Sequence, residues 1–192
     1  VEFIIMGAFT SLLSGLGLSA AAGLNAFLPI FTVGLLARFG LIELQGPFAI
    51  LSHPLVLLII AALAILDFAG DKIPAVDSVL HAMGMIVHPI AGAVLFVAAN
   101  SAVGSVDPML AMLAGLTVAG GTHVLRSTAR PVFTVASGGT ANPVVSIIED
   151  VASLGLTITA ILVPALAGLA VVLLLILALR FVLRSRQVWK PK

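Results

Sequence analysis

Ionisable side chains are scarce in this chain, and they are grouped. Asp67, Asp71, Lys72, Asp77, His81 and His88 fall in one stretch, and His123, Arg126, Arg130, Glu149 and Asp150 follow between later apolar segments. Within the first group, Asp67 and Asp71 are four residues apart, as are Asp77 and His81, a spacing that places two side chains on one helix face. Asp77, His81 and His88 share a face as well, because eleven residues make about three turns. Carboxylates and imidazoles together can coordinate a divalent cation or relay protons, since histidine titrates near neutrality. If a metal is held, Asp77 and His81 are its expected ligands; the sequence requires no cofactor. The plainer reading makes Asp71-Lys72-Ile73-Pro74 a helix end at a membrane interface, with Asp77 capping an amphipathic helix and His88 marking a span boundary before Pro89.

In the second group, His123, Arg126 and Arg130 are spaced i, i+3, i+7 on one helical face, after the small-residue run Ala119-Gly120-Gly121-Thr122. Arginine there could clamp a carboxylate or phosphate in bidentate fashion, or simply anchor a helix end among head groups. The segment from Asn142 to Asp150 starts like a helix, with Asn142 as N-cap and Pro143 at the first helical position. Ser146, Glu149, Asp150 and Ser153 are expected on one side of it, and an acidic pair amid Ile147, Ile148 and Val151 needs a partner. Arg126 and Arg130 are the natural candidates, because a buried charge is costly unless paired. Asn25, between Gly23 and Pro29, fits a helix break of the kind that frees backbone groups at transporter sites. A single interhelical hydrogen bond is the duller alternative.

These residues sit in an apolar frame. Of 192 residues, 61% are hydrophobic and only 9% charged, and mean hydropathy is +1.27. Soluble domains carry roughly 25% charged residues, so the composition predicts an all-α, polytopic membrane protein embedded in a lipid bilayer. A charged group at a helix centre costs about 2.5–3.5 kcal/mol on the insertion scale. Those that remain must pair, line a wet cavity or lie at the interface. The net charge of +1 carries no nucleic-acid signature, and with no cysteine there is neither a disulfide framework nor a thiolate metal site. Val1-Glu2-Phe3 lacks the basic n-region of a signal peptide. Ten Phe, one Trp and no Tyr leave little for an aromatic belt, whereas eighteen Gly suit close helix–helix approach in lipid.

A span needs about 20 apolar residues. Residues 3–39 are too long a run for one span and are read as two spans joined tightly, or as one span and a broken helix. Gly40–Pro54 reads as a loop, 55–69 as a span, Asp77–Val87 as helix and 89–103 as a further span after Pro89. Residues 108–125 are another span, Ser137–Ala141 a loop, and 151–183 a last apolar run with Pro164 inside it. Five or six spans with broken or re-entrant helices result, in a single transmembrane domain over 1–192. Pro29-Ile30-Phe31-Thr32-Val33 is echoed by Pro131-Val132-Phe133-Thr134-Val135. Pseudo-repeats over 16–102 and 111–180 are therefore one reading, and chance similarity in an Ala/Leu/Gly-rich chain is the other. Arg180, Arg184, Arg186, Lys190 and Lys192 are five of the nine basic residues. The positive-inside rule then predicts a basic cytoplasmic tail at 184–192, in the inner (plasma) membrane.

Four segments together resemble the family known as domain of unknown function 4126. They are Ala22-Gly23-Leu24-Asn25-Ala26-Phe27-Leu28-Pro29, Asp71-Lys72-Ile73-Pro74-Ala75-Val76-Asp77-Ser78, His88-Pro89-Ile90-Ala91-Gly92, and Asn142-Pro143-Val144-Val145-Ser146-Ile147-Ile148-Glu149-Asp150. The combination is more specific than any one piece. Asp67 stands where the family's pattern has Glu, and His88 where it has a basic or other polar residue. The resemblance implies a polytopic membrane protein of bacterial type and supplies no mechanism.

No nucleophile elbow, P-loop, zinc-protease motif or dinucleotide fingerprint occurs in the sequence, so an enzyme is not expected. An enzyme acting on lipid would need a nucleophile beside His81, His88 or His123. The leading expectation is a small transporter or channel-like protein for a cation, a proton or a small polar solute. In it, breaks at Asn25 and Pro164 frame a site, Asp71, Asp77 and His81 bind the ion, and Arg126, Arg130, Glu149 and Asp150 form a gate network. The alternative is a non-catalytic accessory subunit of a larger membrane complex, or a homo-oligomer, with its polar groups paired internally.

Overall fold

A computed structural model describes residues 2–70, 74–101, 106–138 and 140–188, with side chains described except for 2–6, 74–81, 132, 133, 136, 177–179 and 181–188. Among the described residues, seven α-helices run in order: α1 (Glu2–Leu24), α2 (Phe27–Arg38), α3 (Pro54–Gly70), α4 (Pro74–Ser101), α5 (Pro108–Ser137), α6 (Asn142–Leu162) and α7 (Pro164–Val188). A short 3-10 helix (Gly46–Ser52) precedes α3. No strand occurs among the described residues.

Helix α1 is the axis of the bundle and packs against α4, α5, α6 and α7. Its residues from Gly17 to Gly23 are all buried. A helix covered on every side cannot be amphipathic, and here its partners come close because the side chains are small. The same device is strongest between α4 and α5, the most extensive helix pair. A Cβ at Gly92 would collide with the Ala119 side chain, and one at Gly115 would stand 2.5 Å from the Gly92 carbonyl oxygen. Serine hydroxyls tie neighbouring backbones together. Ser14 donates to the Ala160 carbonyl at 2.8 Å, Ser19 to Gly92 at 2.9 Å and Ser153 to Ala21 at 2.9 Å. Where apolar side chains and lipid tails are equally apolar, such packing and hydrogen bonding replace the hydrophobic effect as the force between helices.

Among the described residues, four helices are long and apolar enough to cross a membrane: Gly7–Leu24, Ala82–Ser101, Pro108–Pro131 and Asn142–Leu162. The 3-10 helix with α3, bent by 67° at their junction, makes a fifth if counted as one span. The chain is thus a multi-pass α-helical membrane protein, near the lower end of the five or six spans expected. Several boundaries move. The 3–39 run is one span plus a short helix, because Asn25 ends α1 and α2 has only 12 residues, about 18 Å at 1.5 Å per residue. Pro89 does not start a new span: α4 runs through it for 28 residues, as proline tolerance inside membrane helices allows. Helix α5 continues past residue 125 to Ser137, so His123, Arg126 and Arg130 lie within a helix and not at its end. The 151–183 run is divided at Val163, where α6 stops and α7 begins.

Asn142 is not the cap of α6. It lies inside the helix, Ala141 holds the cap position, and Pro143 follows within the first turn. The Asn142 side-chain oxygen instead accepts a hydrogen bond from Thr134 on α5 at 2.9 Å, which fastens the two ends of the α5–α6 turn. The cap expected at Asn142 occurs at the other break. Asn25 Oδ1 accepts from the backbone N–H groups of Phe27 at 2.9 Å and Leu28 at 3.0 Å, satisfying two of the orphan donors at the start of α2.

Candidate functional site

Of the ionisable residues singled out by sequence, those whose side chains are described gather in two places, and α6 supplies adjacent residues to both. At the α1–α2 break, the Asn25 amide nitrogen donates to Asp67 Oδ2 at 3.2 Å and to Asp150 Oδ1 at 2.9 Å. Both hydrogens of the amide are so used, and its oxygen already accepts twice; the side chain is fully committed and buried. Asn25 therefore does three things at once. It ends α1, caps α2, and holds a carboxylate from α3 beside one from α6. Two carboxylates drawn to one neutral amide repel each other, and a cation or a proton between them relieves that repulsion. The negative end of the α1 dipole and the positive end of the α2 dipole meet at this break. A cavity of about 300 Å³ opens here, lined by Asn25, Leu28, Ala64, Ile65, Phe68 and Asp150.

The second place lies between α4, α5 and α6. Glu149 Oε2 accepts from Arg126 Nε at 2.8 Å and from Arg130 Nη2 at 2.7 Å. Arg126 Nη1 lies 3.3 Å from His88 Nε2, and His88 Nδ1 lies 2.9 Å from the Gly84 carbonyl oxygen. A carbonyl only accepts and a guanidinium only donates. The contacts thus assign the hydrogen to Nδ1 and the lone pair to Nε2, a neutral imidazole. The His88 ring packs on His123 with centroids 4.1 Å apart. A Cβ at Gly84 would stand 2.9 Å from His123 Cε1, so the stacked rings need glycine at that position. The result is a chain of contacts from Gly84 through His88 and Arg126 to Glu149, with Arg130 closing on the same carboxylate oxygen. Beside it lies a larger cavity of about 390 Å³, with Arg126, Glu149, Thr122 and Thr128 at its polar part and Leu24, Val171, Leu174 and Leu175 among its apolar wall.

The clusters expected from spacing are thereby rearranged. Asp67 and His88, placed in one constellation by sequence, go to different sites. Asp71 and Lys72 lie outside the described residues; Asp77 and His81 are on α4, but their side chains lie outside them too. Among the described residues, no group of three or more His, Cys, Asp or Glu could hold a metal ion. The acidic pair is split: Glu149 meets Arg126 and Arg130 as expected, while Asp150 meets Asn25. Adjacent residues on a helix point about 100° apart, so one sequence pair reaches two neighbours. Asn142 belongs to the α5–α6 turn and to neither site. At the Pro164 break, the Val163 N–H donates to the Thr159 carbonyl at 2.8 Å and the Val163 carbonyl accepts from Leu166 at 3.0 Å, closing the turn through backbone alone. Sequence spacing did not single out Ser14, Ser19 or Phe68. The serines could have been found as hydroxyls within a small-residue run; Phe68 carries no signal until the cavity is known.

No curated protein and no solved structure matches the chain. The family described as domain of unknown function 4126 matches residues 12–184, a stretch that contains every residue of both polar sites. The chain belongs to that family.

Proposed function

We propose that the protein is a small transporter or channel-like protein for a cation or proton, with the Asn25–Asp67–Asp150 node as the ion-handling element. The observation that carries this reading is the bridging amide. A helix break inside the membrane-spanning bundle, held open by a capping asparagine, brings two carboxylates from separate helices together, one of them, Asp150, on the wall of a cavity. Intramembrane carboxylates at a broken helix are the usual building material of ion pathways. The His88–Arg126–Glu149–Arg130 chain is the gate network, since it joins α4, α5 and α6 through charge-assisted bonds that a movement of any one helix would break. The membrane is the inner (plasma) membrane, with the basic C-terminal segment in the cytoplasm by the positive-inside rule. The two halves over 16–102 and 111–180 are retained as candidate pseudo-repeats.

The test is flux in proteoliposomes, read with a pH-sensitive dye and with sodium and potassium indicators. Ion movement that falls to the empty-liposome level in Asp67→Asn and Asp150→Asn, with folded protein retained, supports the reading. Unchanged flux in both variants rejects it. One observation favours the second reading, an accessory subunit of a membrane complex: Glu149 is neutralised within the chain by Arg126 and Arg130. That reading calls for a partner that stays bound through mild detergent extraction and for no intrinsic flux.

A further inference from the structure

We infer that residues 41–45 form a hinged strap, which lifts off the bundle and admits water to a cavity where α1, α2, α4 and α6 meet. The inference goes beyond the transport reading, because such a strap opens in a transporter and in an accessory subunit alike.

The strap joins α2 to the 3-10 helix and turns on a glycine at each end. Gly40 has φ +70° and Gly46 φ +57°, conformations that favour glycine. A Cβ added at either would meet nothing within 4 Å, so the chain can rotate at both ends without displacing a neighbour. Between them the side chains alternate. Ile42 and Leu44 pack against the buried core, whereas Leu41, Glu43 and Gln45 are exposed. The backbone adds no further hold. The Gly40 N–H donates to the Ala37 carbonyl and the Leu41 N–H to that of Leu36, both on α2, and the Gln45 carbonyl accepts from Phe48 in the 3-10 helix. Among the described residues, no hydrogen bond ties the strap to α1, α4 or α6. Lifting it therefore exposes two apolar side chains and breaks no such bond, and segments with few buried contacts are the ones that open locally.

Beneath the strap lies a cavity of about 150 Å³, lined by Leu18 of α1, Val33 of α2, Ala98 of α4, Ile161 of α6 and the strap itself, Glu43 included. The strap covers this space without filling it, so its anchors forgo part of the contact that a packed core gives. Glu43 places the mouth in water. Its carboxylate makes neither ion pair nor hydrogen bond among the described residues, and an unpaired charge in the apolar layer is costly. The backbone of the strap has the same requirement, since peptide groups without partners are not tolerated in lipid. Water thus stands over the strap, and a largely apolar cavity lies under it.

The chain has no cysteine, so a single one reports on opening. Leu18, on the cavity wall, is 4% exposed. The Leu18→Cys full chain in nanodiscs is treated with a charged, water-soluble trimethylammonium methanethiosulfonate, and labelling is followed by intact mass. Slow but complete labelling is expected. Adding Ile42→Ala should raise the rate about tenfold, the factor that follows from losing about two buried methylene groups. Adding Leu41→Ala, whose side chain is already exposed, should leave the rate unchanged. Ser153→Cys, at a buried position that bonds Ala21 and does not line the cavity, reports opening of the whole bundle; it should label more slowly and not respond to Ile42→Ala. If Leu18→Cys fails to fold, Ala98→Cys on the same wall takes its place. Absence of labelling at the cavity wall overturns the strap, and so does an equal acceleration of Ser153→Cys by Ile42→Ala, which makes the opening global. Labelling without ion flux keeps the strap and removes transport; flux without labelling removes the strap alone.

Discussion

The two polar sites are built from neighbouring residues of one helix and are electrostatic opposites. Around Glu149, two guanidinium groups converge on a single carboxylate oxygen. Around Asp150, two carboxylates converge on a single uncharged amide. The first arrangement neutralises its carboxylate internally with short charge-assisted bonds and reads as architecture that can also serve as a latch. The second joins two carboxylates from separate helices through hydrogen bonds from a neutral donor. The contrast teaches that burying a charge in a membrane bundle does not by itself mark function. What matters is whether the partner matches the charge or merely holds it in place.

The sharpest way to break the contrast is Arg126→Ala. It removes a donor from Glu149 and from His88 together, while Arg130 keeps the Glu149 carboxylate paired, so the loss is that of buried hydrogen bonds to a charged group, about 1.5–3 kcal/mol. Loss of monodisperse protein on size-exclusion chromatography, with a collapse of thermal stability in detergent, is expected. Arg126→Lys should recover only part of it, because one ammonium cannot reproduce the guanidinium's fork. If Arg126→Ala is as stable as the parent, the latch is not structural.

Asn25→Asp comes next. It keeps an oxygen to cap α2 but deletes the donor to both carboxylates and adds a third negative charge. We expect it to be less stable than Asn25→Ser, which keeps a capping oxygen without the charge; caps of this kind contribute about 0.5–2 kcal/mol. Thermal denaturation of the pair measures the order. The reverse order would mean that the site already accommodates three negative charges, and the repulsion argument would fall.

Gly92→Ala probes the frame that both sites share. Its new Cβ would fall on the Ala119 side chain, and overpacking of this sort costs about 1–3 kcal/mol. Gly121→Ala, where an added Cβ meets nothing within 4 Å, should be neutral or slightly stabilising. Equal melting temperatures for the two would show that α4 and α5 do not touch as closely as described. The smallest effect is expected from Ser153→Ala, which deletes one hydroxyl bond to the Ala21 carbonyl. Interhelical hydrogen bonds in membranes average about 0.6 kcal/mol, so only a slight drop in melting temperature should follow.

How much of this was legible beforehand differs from residue to residue. The break at Asn25 was readable, since one amide between glycine and proline in an apolar run has few other uses. So was the attraction of Arg126 and Arg130 for Glu149, because a carboxylate among isoleucines must find a cation. The extents of α4 and α5 were not. Proline and arginine punctuate soluble helices, but inside a bundle the neighbours satisfy what these residues disturb, and both helices run on through them. The cap assigned to Asn142 failed for a related reason: Thr134, on the preceding helix, takes that oxygen, and nothing local announces it.

The sequence alone determined that this is a helical protein of the membrane, that its helices approach closely, and which few polar residues are too costly to be incidental. Those are properties of composition and of short-range spacing, and they follow from transfer energies and from the pitch of a helix. It could not determine that Asp67 meets Asp150 across Asn25, that Glu149 and Asp150 serve different sites, or that Phe68 faces a cavity. Those pairings join α1, α3, α4, α5 and α6 across long stretches of chain. Which helix becomes the neighbour of which is settled by the fit of glycine, alanine and serine surfaces along whole helices, a property of the assembled bundle that no single segment contains.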